Sequence, residues 1–204
     1  MNTILCFDME GVFTPEIWKN VALKTGISEL QITTRDEPDY DKLMRYRLEI
    51  LEKNGIELSF IQSVISSMDL LPGAGEFFSS IQERAQAVVV TDSFIEFAEP
   101  FIVKLGRPLV FCHSLKCDER GIITDYIIRQ PDPKRKVVEA LHSLRYSVIA
   151  VGDSYNDMGM IEEADRGILF SPPDNVISDY PDYPVARDYK ELTAEIERAL
   201  AREK

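Results

Sequence analysis

From Gly75 onward, short β-rich apolar runs alternate with amphipathic helical stretches, and this alternation most narrows what the chain can fold into. Helical spacing over 75–84, the run Gln-Ala-Val-Val-Val-Thr at 86–91, a helix over 94–105 and an apolar run at 108–112 read as βαβ units, which build parallel sheets. The pattern continues with a helix opened by Asp132-Pro133 and ending near 144, a strand at 147–151, a helix near 157–164, a strand at 167–170 and a last helix from about 189. Within it, Cys117-Asp-Glu-Arg-Gly121 reads as a hairpin turn, an antiparallel embellishment. The expected fold class is α/β, a doubly wound, Rossmann-like parallel sheet.

One further strand, residues 3–8, precedes this block and delivers Asp8 to a loop. Between it and Gly75 lie signs of three helices. Thr14-Pro15 opens one over 15–25 that Gly26 stops, Asp39 caps a second running to Gly55, and Ser59 caps a third. A crossover between parallel strands needs only about a dozen residues. Residues 14–72 are therefore expected to form an inserted helical cap on a core made of residues 1–13 and 73–204. Ligands of doubly wound sheets bind beyond the carboxyl ends of the strands, so a cap inserted there would close the site and select the substrate.

The chain has 204 residues, 45% of them hydrophobic, enough to bury a core of one domain with a small annex. Its 23 Lys+Arg against 35 Asp+Glu give a net charge of −12, which removes counterion release as a driving force and argues against nucleic acid or an anionic membrane as partner. The longest apolar runs are strand-sized and no basic segment precedes the first one, so neither a membrane span nor a signal peptide is expected. Cys6, Cys112 and Cys117 are an odd number in a chain large enough to fold unaided, which points to a reducing compartment, by default the cytoplasm. Cys112, His113 and Cys117 lack a fourth ligand at zinc spacing.

Four acids fall at strand ends or just beyond: Asp8 and Glu10 after the first strand, Asp153 and Asp157 after the strand at 147–151. Brought together they repel one another, and hard carboxylate and carbonyl oxygens suit Mg²⁺. Thr91 ends the middle strand and Lys134 begins a helix, adding a hydroxyl donor and a positive charge. These groups suit a phosphoryl group, with a carboxylate to attack phosphorus.

The segments Phe7-Asp8-Met9-Glu10-Gly11-Val12, Val90-Thr91-Asp92, Lys134 and Val151-Gly152-Asp153-Ser154-Tyr155-Asn156-Asp157 resemble, in order, the four motifs of the haloacid dehalogenase superfamily. Over nearly the whole chain the resemblance is to its phosphoserine phosphatase group. It is greatest to the ThrH branch of phosphoserine phosphatase/phosphoserine:homoserine phosphotransferases, through Asp8 to Trp18, Thr33 to Tyr40, Asp132 to Arg135 and Gly152 to Asp157. That resemblance implies Asp8 as a nucleophile forming aspartyl phosphate and Glu10 as acid and base. It implies Thr91 and Lys134 on the phosphoryl group, with Asp92, Ser93 and Asn156 beside it. Mg²⁺ would be held by Asp8, the backbone carbonyl of Glu10 and Asp153, with Asp157 in support. Glu16 would meet the substrate ammonium, Arg47 its carboxylate, and Tyr40 the wall between them. Phosphoserine is the implied substrate and homoserine an acceptor beside water; the oligomeric state stays open, a homodimer included.

This sequence departs from the wider superfamily at Glu10, where Asp is usual, and at Thr91-Asp92-Ser93, where glycines commonly follow the hydroxyl residue. Lys136 competes with Lys134, and Arg45 with Arg47. Trp18, Phe77 and Phe78 read as core packing. A receiver-like phospho-switch shares the Asp, Thr, Lys and Mg²⁺ set, but lacks the 14–71 insert and the Gly-Asp-x-x-Asn-Asp loop. A phosphatase for another small phosphomonoester, or a sugar phosphate mutase, would keep the fold.

Overall fold

The computed structural model describes residues 2–33, 36–37 and 39–201. The ThrH-like stretch from Thr33 to Tyr40 is thus described in part, with Thr34, Arg35 and Pro38 outside the described residues. The strands are β1 (Thr3–Phe7), β2 (Gln86–Phe94), β3 (Leu109–Cys117), β4 (Ile123–Ile127), β5 (Ser147–Gly152), β6 (Arg166–Phe170) and β7 (Val185–Ala186). They form one sheet in the order β4-β3-β2-β1-β5-β6-β7, parallel except for the β3/β4 hairpin. The helices are α1 (Ile17–Thr25), α2 (Tyr40–Lys53), α3 (Leu58–Ser66), α4 (Ala74–Gln82), α5 (Ile95–Lys104), α6 (Pro133–Ser143), α7 (Met158–Glu163), α8 (Asp174–Asp179) and α9 (Tyr189–Ala201).

Strand alternation divides the core between two faces. In β1, Leu5 and Phe7 pack into the cluster holding Phe78, Phe97 and Ile196, whereas Ile4 and Cys6 face Val138, Leu141 and Met160. Both faces of β1 are covered, and it lies between β2 and β5, where the chain order reverses. That reversal is the topological switch point at which such sheets bind ligands, and the Asp8 amide, donating to Val151 O at 2.9 Å, fixes the end of β1 there. Among the described residues no helix is long and apolar enough to cross a membrane.

The segment carrying α1, α2 and α3 leaves and rejoins the sheet at one point, where Leu71 N–H donates to Phe13 O at 2.8 Å. Its far side rests on the hairpin: Leu58 N–H donates to Gly121 O, Arg45 pairs with Asp125 at 2.8 Å, and Tyr126 OH donates to the Asp41 carboxylate.

Several local expectations need correction. Thr14 does not cap α1: its hydroxyl and amide both turn back to Met9 O, so Glu16 takes the cap position. Ser59 does not cap α3, because the Leu58 contact with the hairpin starts the helix earlier, after Glu57. Thr91 does not end β2. The strand continues to Phe94 through an irregularity, in which the Thr91 hydroxyl accepts from Ser93 N–H at 3.1 Å. Asp39 does cap α2, accepting from Lys42 N–H, and Gly26 ends α1 with a φ of 72°.

Candidate active site

The centre of the site is a buried ammonium among carboxylates. Lys134, near the start of α6 and 2% exposed, places Nζ 2.6 Å from Asp157 Oδ1, 2.9 Å from Asp8 Oδ1 and 3.4 Å from Asp92 Oδ2. Lys136 instead lies at the surface, paired with Glu139. Asp157 serves as a bracket: Oδ2 accepts from the amides of Asp153 (2.8 Å) and Ser154 (3.0 Å), so the loop after β5 wraps one carboxylate. Gly152 is required there, since a Cβ would sit 2.3 Å from Asp157 Cβ and Cγ.

Gly11 holds the other side of the cluster. Its φ is +79°, and a Cβ would lie 2.5 Å from Asp153 Cγ. Gly11→Ala therefore meets both left-handed strain and a collision with a carboxylate. It is expected to lower kcat/KM at least about tenfold, by displacing Asp153, and to destabilise the fold by about 1–3 kcal/mol. Steady-state kinetics with thermal melting check both.

Burial, reinforced by Asp157 and opposed by Lys134, pushes the Asp153 carboxyl up to about 7. The same burial, with Asp157 repelling and Lys134 attracting, holds Asp8 well above the usual carboxylate range. One ammonium does not neutralise this many acids. Carboxylate oxygens of Asp8, Asp153 and Asp157 lie within 4.8 Å of one another, a hard-oxygen set that fits a divalent cation. Both Asp157 oxygens already accept hydrogen bonds, which leaves Asp8 and Asp153 the freer donors.

Glu10 is drawn away from this cluster: its Oε2 accepts from Ile17 N–H at 3.0 Å, across the entry to α1. Burial raises its pKa, with the Ile17 amide opposing. A buried carboxyl that keeps its proton to higher pH is suited to giving one up to a leaving alkoxide.

A cavity of about 890 Å³ joins Asp8, Glu10, Thr91 and Asp153 to Glu16 and Arg47. Arg47 is 6% exposed, whereas Arg45 faces outward onto Asp125 and Asp41. Tyr40 OH donates to Asp92 O at 3.1 Å, tying α2 to the irregular end of β2. Asn156 Nδ2 donates to Asp92 Oδ2 at 3.0 Å. Ser93 is buried and also lines the cavity. Glu16 stands at the rim, half exposed and paired with Lys19 at 2.8 Å.

Two cavity residues were not legible as such. Trp18 is not simply core: it is half-buried and lies under the Arg47 guanidinium, 4.5 Å from its carbon. His113 is buried beside the site, Nδ1 accepting from Arg129 N–H at 3.3 Å and Nε2 3.9 Å from Asp92 Oδ1. A single His inside a strand pattern carries no spacing signal that would single it out.

Comparison with known proteins identifies the family. Residues 3–165 match the haloacid dehalogenase-like hydrolase family. The phosphoserine phosphatase of Pseudomonas syringae pv. tomato is 50% identical over 200 residues, spanning 98% of this chain and 84% of that protein. Phosphoserine phosphatase ThrH of Pseudomonas aeruginosa is 48% identical over 199 residues, spanning 98% and 97% respectively. A substrate-bound phosphoserine phosphatase complex shares the fold, with a TM-score of 0.79 at 19% identity over 96% of this chain and 98% of that one. These matches set aside a receiver-like switch, and the chain belongs to the haloacid dehalogenase-like hydrolases, in their phosphoserine phosphatase group.

Proposed function

We propose that the chain is a Mg²⁺-dependent phosphoserine phosphatase that works through an aspartyl phosphate on Asp8, and that homoserine can replace water as acceptor. One observation carries the reading. A single cavity has a buried nucleophile-type carboxylate, Asp8, at one end and at the other a buried guanidinium, Arg47, that among the described residues has no ion-paired carboxylate, together with the Glu16 carboxylate. That charge order matches a phosphate ester of a zwitterionic amino acid.

In this reading Asp8 Oδ attacks phosphorus as the bond to the serine oxygen breaks, and Glu10 protonates the departing alkoxide. Glu10 then takes a proton from water, whose oxygen attacks the aspartyl phosphate and releases inorganic phosphate and free Asp8. Lys134 and Thr91 stabilise the charge on the phosphoryl oxygens. Asp8, Asp153 and the Glu10 carbonyl, with Asp157 in support, would hold Mg²⁺, which when bound would supply charge neutralisation for phosphoryl transfer. Residues 14–72 act as the cap, closing over the cavity and excluding bulk water. Homoserine carries the ammonium and carboxylate that Glu16 and Arg47 would read, plus a hydroxyl one methylene further out, so it competes with water at high effective concentration. The three free cysteines support a reducing, cytoplasmic setting.

The test is a panel of phosphomonoesters with and without Mg²⁺, EDTA and homoserine. Phosphoserine is expected to exceed p-nitrophenyl phosphate in kcat/KM by at least about a hundredfold, with turnover lost in EDTA and restored by Mg²⁺. Equal use of the aryl phosphate would refute the substrate, undiminished turnover in EDTA the metal, and absence of label on homoserine the transfer.

A further inference from the structure

Among the described residues, Arg47 is a buried cation with few hydrogen-bonding partners. Nη2 donates to Ile32 O at 2.5 Å and Nη1 lies 3.7 Å from the Met44 sulfur, while Nε is buried with no partner among the described residues. Burial pulls the guanidinium down to about 10, with Tyr40, Glu10 and Glu16 opposing, so it stays charged. Among the described residues no carboxylate is ion-paired with it, and a buried charge in that state is costly unless an anion arrives to meet it. Beneath the guanidinium lies Trp18. The ring lies 4.5 Å from the guanidinium carbon and is itself braced edge-on by Phe97, at 5.6 Å between centroids.

We infer that Trp18 is a positioning residue for carboxylate selectivity, holding the Arg47 guanidinium between its indole face and the Ile32 carbonyl so that the remaining N–H groups are pre-aimed at a substrate carboxylate. The inference rests on phosphoserine as substrate. Trp is the strongest cation–π partner among the side chains, and its flat face restricts how a planar guanidinium can tilt. An aliphatic side chain fills similar space but does neither. The ordering cost of Arg47 would then fall on substrate binding. Among the described residues the ring of Trp18 meets Arg47 and Phe97, whereas the phosphoryl end of the cavity is built on Asp8, Thr91 and Lys134, so selectivity should change without the chemical step changing.

The experiment compares phosphoserine with phosphoethanolamine, which keeps the phosphate and the amine but has no carboxylate, on wild type, Trp18→Leu and Trp18→Phe. Trp18→Leu is expected to raise KM for phosphoserine about tenfold with kcat within about twofold, and to leave phosphoethanolamine kinetics unchanged. Trp18→Phe should recover part of the loss. Equal weakening toward both substrates, or none toward either, overturns the inference and leaves the phosphatase reading intact. A wild type that does not prefer phosphoserine overturns both. If Trp18→Leu does not fold, the unaltered protein decides. Trp18 is its one tryptophan, and saturating L-serine should shift its emission where ethanolamine does not; equal responses, or no response, overturn the assignment.

Discussion

Asp8→Asn is expected to reduce turnover of phosphoserine by at least about four orders of magnitude while leaving the fold unchanged. The substitution is isosteric. Its amide oxygen can still accept from Lys134, which stands 2.9 Å from Asp8 Oδ1 in the native chain, and the Asp8 backbone bond to Val151 is untouched. What disappears is the proposed nucleophile, and amide oxygen attacks phosphorus poorly. Loss of a covalent nucleophile is not repaired by the residues around it, because the roles proposed for Lys134, Thr91 and Glu10 belong to a reaction that would no longer start. The check has two parts. Acid-quenched wild type incubated with substrate should carry the mass of one phosphoryl group on the peptide containing Asp8, and the variant none, at equal melting temperature. Phosphate trapped on another side chain would sink the mechanism.

The parts of this site visible in the sequence are those set by strand ends. An apolar run that stops on an acid places that acid at the carboxyl edge of a parallel sheet, and a parallel sheet has one switch point. Asp8, Asp153 and Asp157 converge for that reason, and they meet Lys134 from the start of α6. The rivalry between Lys134 and Lys136 also resolves by position. Lys134, the second residue of α6, reaches the acids at the strand ends, while Lys136, two residues on, finds Glu139 on the outer face. Less legible was whatever depends on long-range contact. Periodicity gave Trp18 an apolar face but not its depth, and its neighbour Arg47 lies on another helix. Leu58 begins α3 because the hairpin residue Gly121 offers a carbonyl from far along the chain. The short α8 and the two-residue β7 have too few apolar residues to leave a periodic trace. Thr91 looked like a strand end because the polar Asp92 and Ser93 follow it, and the bulge that lets β2 continue is a backbone irregularity with no composition of its own.

Lys134→Met should be the most damaging single change outside the nucleophile, for stability and activity together. Burial alone would lower the pKa of this ammonium, but Asp157, Asp8 and Asp92 outweigh it and hold the pKa well above the usual lysine value. Each of those carboxylates is therefore counting on the same cation. Methionine fills similar volume without the charge, leaving the buried Asp8 and Asp157 to repel each other. Removing one partner from a buried ionic cluster costs about 3–5 kcal/mol, and for a chain of this size that lowers the melting temperature by roughly 6–20 °C. Activity should fall at least about a thousandfold, since the charge proposed to meet the transferring phosphoryl group is lost as well. Lys134→Arg should not restore it, because a planar guanidinium does not fit a site built around a point charge with partners at 2.6 and 2.9 Å. Lys136→Met supplies the control: its ammonium is exposed and paired within one helical turn, so melting should move by no more than about 0.5 kcal/mol equivalent. If the two methionine variants melt alike, the buried cluster is not what holds the strand ends together.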